Sequence, residues 1–138
     1  MTYTIAELYN GQTEKLSRVF TAEDVGRTSE LTKDYSPVYE QAWEGQYRQA
    51  VVPGLLTEGL INQVISEKLP GVPCILVQKD LVFYSPVHVG EEITAELVVI
   101  DINKERNWVT QRVTCVNPAG IEVIKGQVVV FILSKEDD

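Results

Sequence analysis

The sequence predicts an α+β fold in which an antiparallel sheet is wrapped around one long central helix. The helix is predicted from Pro53 to about Leu69, where apolar residues recur at three- and four-residue spacing. Proline suits a first helical turn, and Pro70-Gly71 would end the helix. Four β-rich runs follow along the chain. The helix would be about 25 Å long, which matches a strand of about seven or eight residues.

The predicted central helix has a broad apolar face, so it needs cover on much of its circumference. That face consists of Leu55, Leu56, Gly59, Leu60, Ile61, Val64 and Ile65. The opposite side is a narrow polar strip made of Glu58, Asn62 and Ser66. A sheet packed on the apolar face would bury it from water.

The residues before the central helix predict a strand and shorter helical pieces. Glu14 to Phe20 alternates as a strand does. Thr21 is expected to cap a helix from Ala22 to about Lys33, since an aspartate stands at the capping-box position. That helix must end before Pro37, because a residue before proline is pushed out of helical geometry. A further helical turn is predicted from Val38 to Glu44.

The residues after the central helix predict four strands joined by short turns. The connecting segments are rich in Ser, Pro, Asn and Gly, which favours antiparallel hairpins. The aromatic residues Phe83, Tyr84 and Trp108 are expected in the sheet core. The strands are predicted at Ile75 to Phe83, Ile93 to Asp101, Trp108 to Val116 and Ile121 to Leu133.

Length and composition narrow the class of protein. A chain of 138 residues suits one domain, 1–138, and its hydrophobic content of 44% is ordinary. No apolar run is long enough to span a membrane and no signal-peptide profile is seen, so we expect a cytoplasmic protein that binds no membrane. The net charge of −8 argues against binding nucleic acid. Cys74 and Cys115 are expected to be reduced core thiols, and with a single histidine they give no zinc-site spacing.

The segment Thr21 to Gly71, followed by SPVHVGEEITAELVV, resembles the MaoC-like dehydratase family. This family comprises the single-hotdog (R)-specific enoyl-CoA hydratases and their relatives. The resemblance covers about residues 14–131 and includes a PV-x-x-G-[DE] turn that begins at Pro86. It implies a hotdog fold, and hotdog folds commonly pair, so a homodimer or higher homo-oligomer is expected. A monomer would leave a long sheet edge exposed.

The activity motif of the family is altered in this chain. The family reads D-x-N-P-x-H, whereas this chain reads Asp34-Tyr35-Ser36-Pro37-Val38-Tyr39, with tyrosine in place of the catalytic histidine. A second family motif, H-G, is Pro53-Gly54 in this chain. The polar residue eight positions beyond that glycine, often serine in the family, is Asn62.

The resemblance implies roles for these positions. In the resembled hydratases an aspartate and a histidine move the proton of a water molecule, and a backbone N–H at the helix start binds the thioester oxygen. The implied catalytic residues are Asp34, Tyr39, Gly54 and Asn62. The implied substrate contacts are Ser36, Pro53 and Leu55. The implied substrate is a thioester of coenzyme A or an acyl carrier, without a further cofactor.

Each of these residues also has a purely structural interpretation. Asp34 is of a type common in turns, and Gly54 would serve close packing. Tyr39 would then be a packed aromatic side chain in the space of the histidine. Tyrosine titrates near 10 and histidine near 6.5, so phenolate at pH 7 costs about 4 kcal/mol, or about a thousandfold in rate. His88, the only histidine, is expected to be exposed in a turn.

Two classes of function follow from these residues. The first is an (R)-specific enoyl-CoA hydratase or 3-hydroxyacyl dehydratase whose activity is altered or weakened at Tyr39. A variant within the enzyme class is a thioesterase in which Asp34 activates water. The second is a hotdog dimer that binds acyl-CoA without turning it over.

Overall fold

The computed structural model describes residues 3–39 and 49–133. Two helices and seven strands are assigned within these residues, together with short 3-10 turns at Ile5–Glu7 and Pro37–Tyr39. The helices are α1 (Ala22–Thr32) and α2 (Gly54–Glu67). The strands are β1 (Thr13–Val19), β2 (Val51–Val52), β3 (Cys74–Phe83), β4 (Val87–His88), β5 (Glu92–Asn103), β6 (Trp108–Val116) and β7 (Glu122–Ile132).

The main sheet has five strands in the order β1-β5-β6-β7-β3, and every neighbouring pair is antiparallel. Helix α2 contacts β1 and β5 of this sheet. On α2, Leu60, Ile61, Val64 and Ile65 are buried, and alternate residues of β5 are buried as well. The predicted α+β arrangement of a sheet around one long helix is confirmed. Each of these fully buried aliphatic side chains stabilises the fold by about 1.5–3 kcal/mol.

The helix α2 differs from its prediction at its first turn. Pro53 is the N-cap residue with φ −56° and ψ 140°, and the helix begins at Gly54, so the placement of Pro53 inside the helix was wrong by one residue. Leu55, predicted on the buried face, is 56% exposed. Each residue rotates by about 100°, so Leu55 lies about 200° around the helix from the buried Thr57. The sheet covers a narrower side of α2 than the apolar residues suggest.

Helix α1 is capped as predicted. Thr21 Oγ1 accepts the Asp24 N–H at 3.1 Å, and Asp24 Oδ2 accepts the Thr21 N–H at 3.0 Å. Lys33 then turns the chain with a positive φ of 64°. Of the predicted helical turn 38–44, only Val38 and Tyr39 lie within the described residues, where they belong to a 3-10 turn.

Several predictions for the strands were wrong in detail. Phe83 and Tyr84 are exposed rather than part of the sheet core, because β3 is an edge strand. His88 is only partly exposed, because it pairs with Val51 in the short β2–β4 ribbon. Strands of two residues have no periodic pattern that a sequence could reveal.

The two cysteines are free, but only Cys115 lies in the core as predicted, because Cys74 is partly exposed. Cys115 is buried, and burial raises the pKa of its thiol to about 12. Burial also raises the pKa of Cys74. Neither thiol is therefore the low-pKa kind that serves as a nucleophile.

Two kinds of feature are absent from the described part of the chain. No helix in residues 3–39 and 49–133 combines the length and apolar character needed to cross a membrane. The same ranges contain no group of three or more His, Cys, Asp or Glu side chains arranged to hold a metal ion.

Gly126 of β7 allows the backbone of β3 to approach β7 closely, so a larger residue there should destabilise the protein. A Cβ at this position would lie 1.9 Å from the carbonyl oxygen of Asp80 on β3. We expect Gly126→Ala to destabilise the protein by more than about 3 kcal/mol in urea unfolding, because the clash is with backbone. Gly26→Ala in α1 is the control, because a Cβ there would have no atom within 4 Å apart from its chain neighbours and its own helix backbone. This variant should stabilise the protein by about 0.5–1 kcal/mol. Equal stability of Gly126→Ala and the wild type would contradict this account of the β3–β7 contact.

Candidate active site

A cavity of about 360 Å³ lies at the N-terminal end of α2. Volumes of this order are typical of small-molecule sites. Its wall is mainly apolar and is built from the first turn of α2, the β2–β4 ribbon, the end of β3 and one residue of β7. The lining residues are Val38, Val51, Val52, Gly54, Thr57, Phe83, Tyr84, Ser85, Pro86, Val87 and Ile124.

The first turn of α2 presents backbone donors at this cavity. The carbonyl oxygen of Pro53 accepts the N–H groups of Leu56 and Thr57, at 3.0 and 3.3 Å. Pro53 supplies no side-chain cap, and the first N–H groups of a helix have no acceptor within it. The helix dipole adds partial positive charge at the same end. Gly54 therefore lies where a negative oxygen atom of a ligand would be stabilised.

Gly54 also permits a close contact with β3. A Cβ at this position would lie 3.0 Å from Cε2 of Phe83, so the ring packs directly against the helix start. A second link joins the same elements, because Lys79 of β3 forms an ion pair with Glu58 of α2. The close-packing interpretation of Gly54 thus agrees with the structure, while its role as an oxyanion donor stays a prediction.

Asp34 and Tyr39 are in direct contact. The Tyr39 hydroxyl donates a hydrogen bond to Asp34 Oδ2 at 3.1 Å, and the Ser36 N–H donates to Asp34 Oδ1 at 3.3 Å. The positive φ of Lys33 ends α1 just before Asp34, and the 3-10 turn brings Tyr39 back toward it. The structure therefore brings together three of the predicted residues: Asp34, Ser36 and Tyr39.

Tyr39 is a neutral phenol at neutral pH. Desolvation by burial is the first cause that raises its pKa above the ordinary value of 10.0, and the hydrogen bond to Asp34 raises the pKa further. A phenolate next to a carboxylate would place two like charges together. Tyr39 can therefore donate a hydrogen bond at pH 7 but cannot accept a proton as a neutral imidazole does.

Most of the predicted site residues lie outside the cavity lining. Val38 lines the cavity together with Gly54, so the segment with Asp34 and Tyr39 reaches the cavity wall. Asp34 itself is exposed, and among the described residues neither it nor Tyr39 lines the cavity. Asn62 is exposed and lies about 12 Å along α2 from Gly54. The predicted catalytic and substrate-binding roles of these residues, including those of Pro53 and Leu55, stay predictions.

Of the cavity-lining residues, only Gly54 was predicted as a site residue, and Thr57 and Phe83 are the most informative of those missed. Thr57 is buried in the cavity wall, and Phe83 rests on Gly54. The available signal for Thr57 was its spacing of three residues from Gly54, which puts both on one side of the helix. No sequence signal identified Phe83, because its contact depends on the tertiary packing of β3.

Comparison with known proteins places this geometry in a family. No family model matches the chain. The chain is 30% identical over 129 residues to an (R)-specific enoyl-CoA hydratase of Rhodospirillum rubrum, covering 91% of this chain and 89% of that protein. It is 29% identical over 135 residues to a 3-hydroxybutyryl-CoA dehydratase of Methylorubrum extorquens, covering 95% and 85%. The chain belongs to the MaoC-like hotdog family.

Solved structures agree with this membership. The (R)-hydratase from A. caviae involved in PHA biosynthesis has a TM-score of 0.88 and 27% identity, covering 92% of this chain and 98% of that one. The expected hotdog fold is thus confirmed. Compared with the family motifs D-x-N-P-x-H and H-G, this chain differs at Ser36, Tyr39 and Pro53.

The Tyr39–Asp34 contact predicts an alkaline titration. NMR of protein labelled at the tyrosine ring Cζ should show Tyr39 ionising with a midpoint above 10, and Tyr39→Phe assigns its signal among the six tyrosines. Asp34→Asn should lower that midpoint only in part, because burial is the larger cause. Since the folded pKa lies above the unfolded value, the contribution of this phenol to stability is complete at neutral pH and is lost as the pH rises through the folded pKa. A midpoint at or below 10 would disprove the partly buried, hydrogen-bonded phenol.

Proposed function

We propose that the protein is an (R)-specific enoyl-CoA hydratase or 3-hydroxyacyl dehydratase whose activity is weakened by Tyr39. The observation that carries the proposal is the hydrogen bond from the Tyr39 hydroxyl to Asp34 Oδ2, on a segment whose Val38 lines the Gly54 cavity. Family membership supports the reaction class, because relatives that cover nearly the whole chain are named as hydratases and dehydratases of this kind.

The proposed hydration needs one base and one oxyanion donor. Asp34 takes a proton from water as the water oxygen bonds to C3 of the enoyl group, and the electrons of the double bond move toward the thioester oxygen. The Gly54 N–H stabilises the resulting enolate charge, with help from the helix dipole. Asp34 then returns its proton to C2, so atoms and charge balance. Dehydration is the reverse of these steps.

The weakening follows from what Tyr39 cannot do. A neutral phenol orients Asp34 and supplies a hydrogen bond, but it cannot share the proton transfer. The Ser36 N–H and the Tyr39 hydroxyl each occupy one oxygen of Asp34, so a water molecule must bind through the remaining lone pairs. Positioned general acid–base groups contribute about 10²–10⁴-fold to rates, and here one of the two proton-transferring groups, the imidazole, is absent at residue 39.

The remaining parts of the proposal concern partners and location. The substrate is a thioester of coenzyme A or of an acyl carrier, and hydration moves only water and a proton, so no further cofactor is required. We also propose a homodimer or higher homo-oligomer in the cytoplasm. Exposed Ile75, Leu76 and Val77 on the edge strand β3 support self-association.

One observation favours a second candidate function. Asp34 is exposed and stands outside the cavity lining, as expected if the protein only binds an acyl thioester. A thioesterase that uses Asp34 to activate water against the carbonyl carbon is a further alternative. It would release free thiol from acyl-CoA, whereas hydration consumes the enoyl absorbance and leaves the thioester intact.

The first test is Asp34→Asn with crotonyl-CoA. We expect the wild type to remove the enoyl absorbance slowly and Asp34→Asn to do so about 100-fold more slowly or worse, because the amide cannot accept the proton. Asp101→Asn, which changes an exposed aspartate on β5, is the matched control and should keep the wild-type rate. A wild type without turnover, or an Asp34→Asn variant at the wild-type rate, would rule out the proposed hydration.

The second test is Tyr39→His. Restoring an imidazole should raise the hydration rate by up to about a thousandfold and introduce a pH dependence with a midpoint near 6.5. Tyr39→Phe is the control, which keeps the ring and removes the hydroxyl, and it should not rise above the wild type. If the hydration rate of Tyr39→His does not exceed that of the wild type, residue 39 is not the cause of the weak activity.

A further inference from the structure

The hydroxyl of Thr57 is buried without a hydrogen-bond partner. Thr57 is 1% exposed, and its Oγ1 makes no hydrogen bond within residues 3–39 and 49–133. A buried hydroxyl left unpaired costs about 1–3 kcal/mol, and such groups in a native protein call for an explanation. Valine has nearly the same shape as threonine and would avoid that cost.

Other threonines in the same chain behave differently. In α1 the hydroxyls of Thr28 and Thr32 donate to the carbonyl oxygens four residues earlier, each at 2.9 Å. The corresponding acceptor for Thr57 is the carbonyl oxygen of Pro53, which already accepts two N–H groups. The Thr57 hydroxyl makes no such bond and is left available for another partner.

The position of Thr57 indicates where that partner would lie. Thr57 lines the cavity that Gly54 also lines. Residues three apart share one side of a helix, and the Cα–Cβ bond leans toward the N-terminus, so the side chain of Thr57 lies over the first turn. Most of the cavity wall is apolar, and Tyr84 and Ser85 add hydroxyl groups to it. The Thr57 hydroxyl and the Gly54 N–H are the donors that the first turn of α2 contributes.

We propose that the Thr57 hydroxyl is a second donor for the thioester carbonyl oxygen of the substrate, beside the Gly54 N–H. This inference rests on the proposed function and adds a residue to it. The hydrogen bond strengthens as negative charge moves onto that oxygen during enolate formation, so it favours the transition state over the bound substrate. Binding of the thioester also satisfies the unpaired hydroxyl.

Access to the hydroxyl requires part of the cavity wall to move. Solvent does not reach Thr57 Oγ1 in this conformation, so a ligand atom reaches it only when part of the lining shifts. Phe83 packs on Gly54 and is 46% exposed, so its ring can turn toward solvent without crossing the core. A turn of this ring would widen the cavity beside Gly54.

The test compares Thr57→Val with Thr57→Ser in crotonyl-CoA hydration. Thr57→Val should lower kcat by about 10²-fold or more and raise KM by no more than about tenfold, since most of the lost interaction acts on developing charge. Thr57→Ser keeps the hydroxyl and should stay within about threefold of the wild type. Thr57→Val should also melt at the wild-type temperature or higher, because it removes an unpaired buried group.

A binding experiment separates this inference from the proposed function. Butyryl-CoA has the same carbonyl but no double bond, and its binding is measured by titration calorimetry. If the wild type hydrates nothing, the proposed function fails, and Thr57 is then judged by binding alone. Thr57→Val should weaken that binding about two- to tenfold, and Thr57→Ser should not.

Three results would overturn the assignment of Thr57. The first is Thr57→Val equal to the wild type in both measurements. The second is Thr57→Ser losing as much as Thr57→Val, since serine retains the hydroxyl. The third is a wild type that neither hydrates crotonyl-CoA nor binds butyryl-CoA.

Discussion

The burial of α2 against the sheet fixes the position of everything else in the molecule. Leu60, Ile61, Val64 and Ile65 leave water only because β1 and β5 cover that side of the helix. An isolated helix of 14 residues would be marginal in water, so this packing supplies its stability. It also decides where the free N–H groups of the first turn lie. The cavity forms where the helix start meets the β2–β4 ribbon and the end of β3.

The proposed chemistry combines backbone donors at the start of α2 with a phenol, in place of an imidazole, at residue 39. The N-terminus of α2 and its dipole do not depend on the identity of residue 39. Proton transfer does depend on residue 39, because burial and the hydrogen bond to Asp34 keep the Tyr39 phenol neutral. In the proposed hydratase, a site with an oxyanion donor and a general base but no imidazole would bind thioesters and turn them over slowly.

Local sequence patterns predicted the helices and strands better than they predicted which side chains are exposed. Alternation and turn chemistry placed β6 at its observed bounds, and the capping box placed the start of α1. The resemblance placed Asp34 and Tyr39 in one motif, and the structure joins them by a hydrogen bond. Leu55 and Phe83 were misplaced because apolar character does not tell which side of a helix or edge strand is covered. The unpaired state of the Thr57 hydroxyl is a tertiary property and leaves no trace in the sequence.

The central claim is that the thioester oxygen binds at the N-terminus of α2. The most direct measurement is a crystal structure of the protein with bound butyryl-CoA. The account predicts the carbonyl oxygen of the thioester within hydrogen-bond distance of the Gly54 N–H, with the Phe83 ring turned away from Gly54 and the acyl chain in the cavity of about 360 Å³. A thioester bound elsewhere, with Phe83 still packed on Gly54, would contradict it.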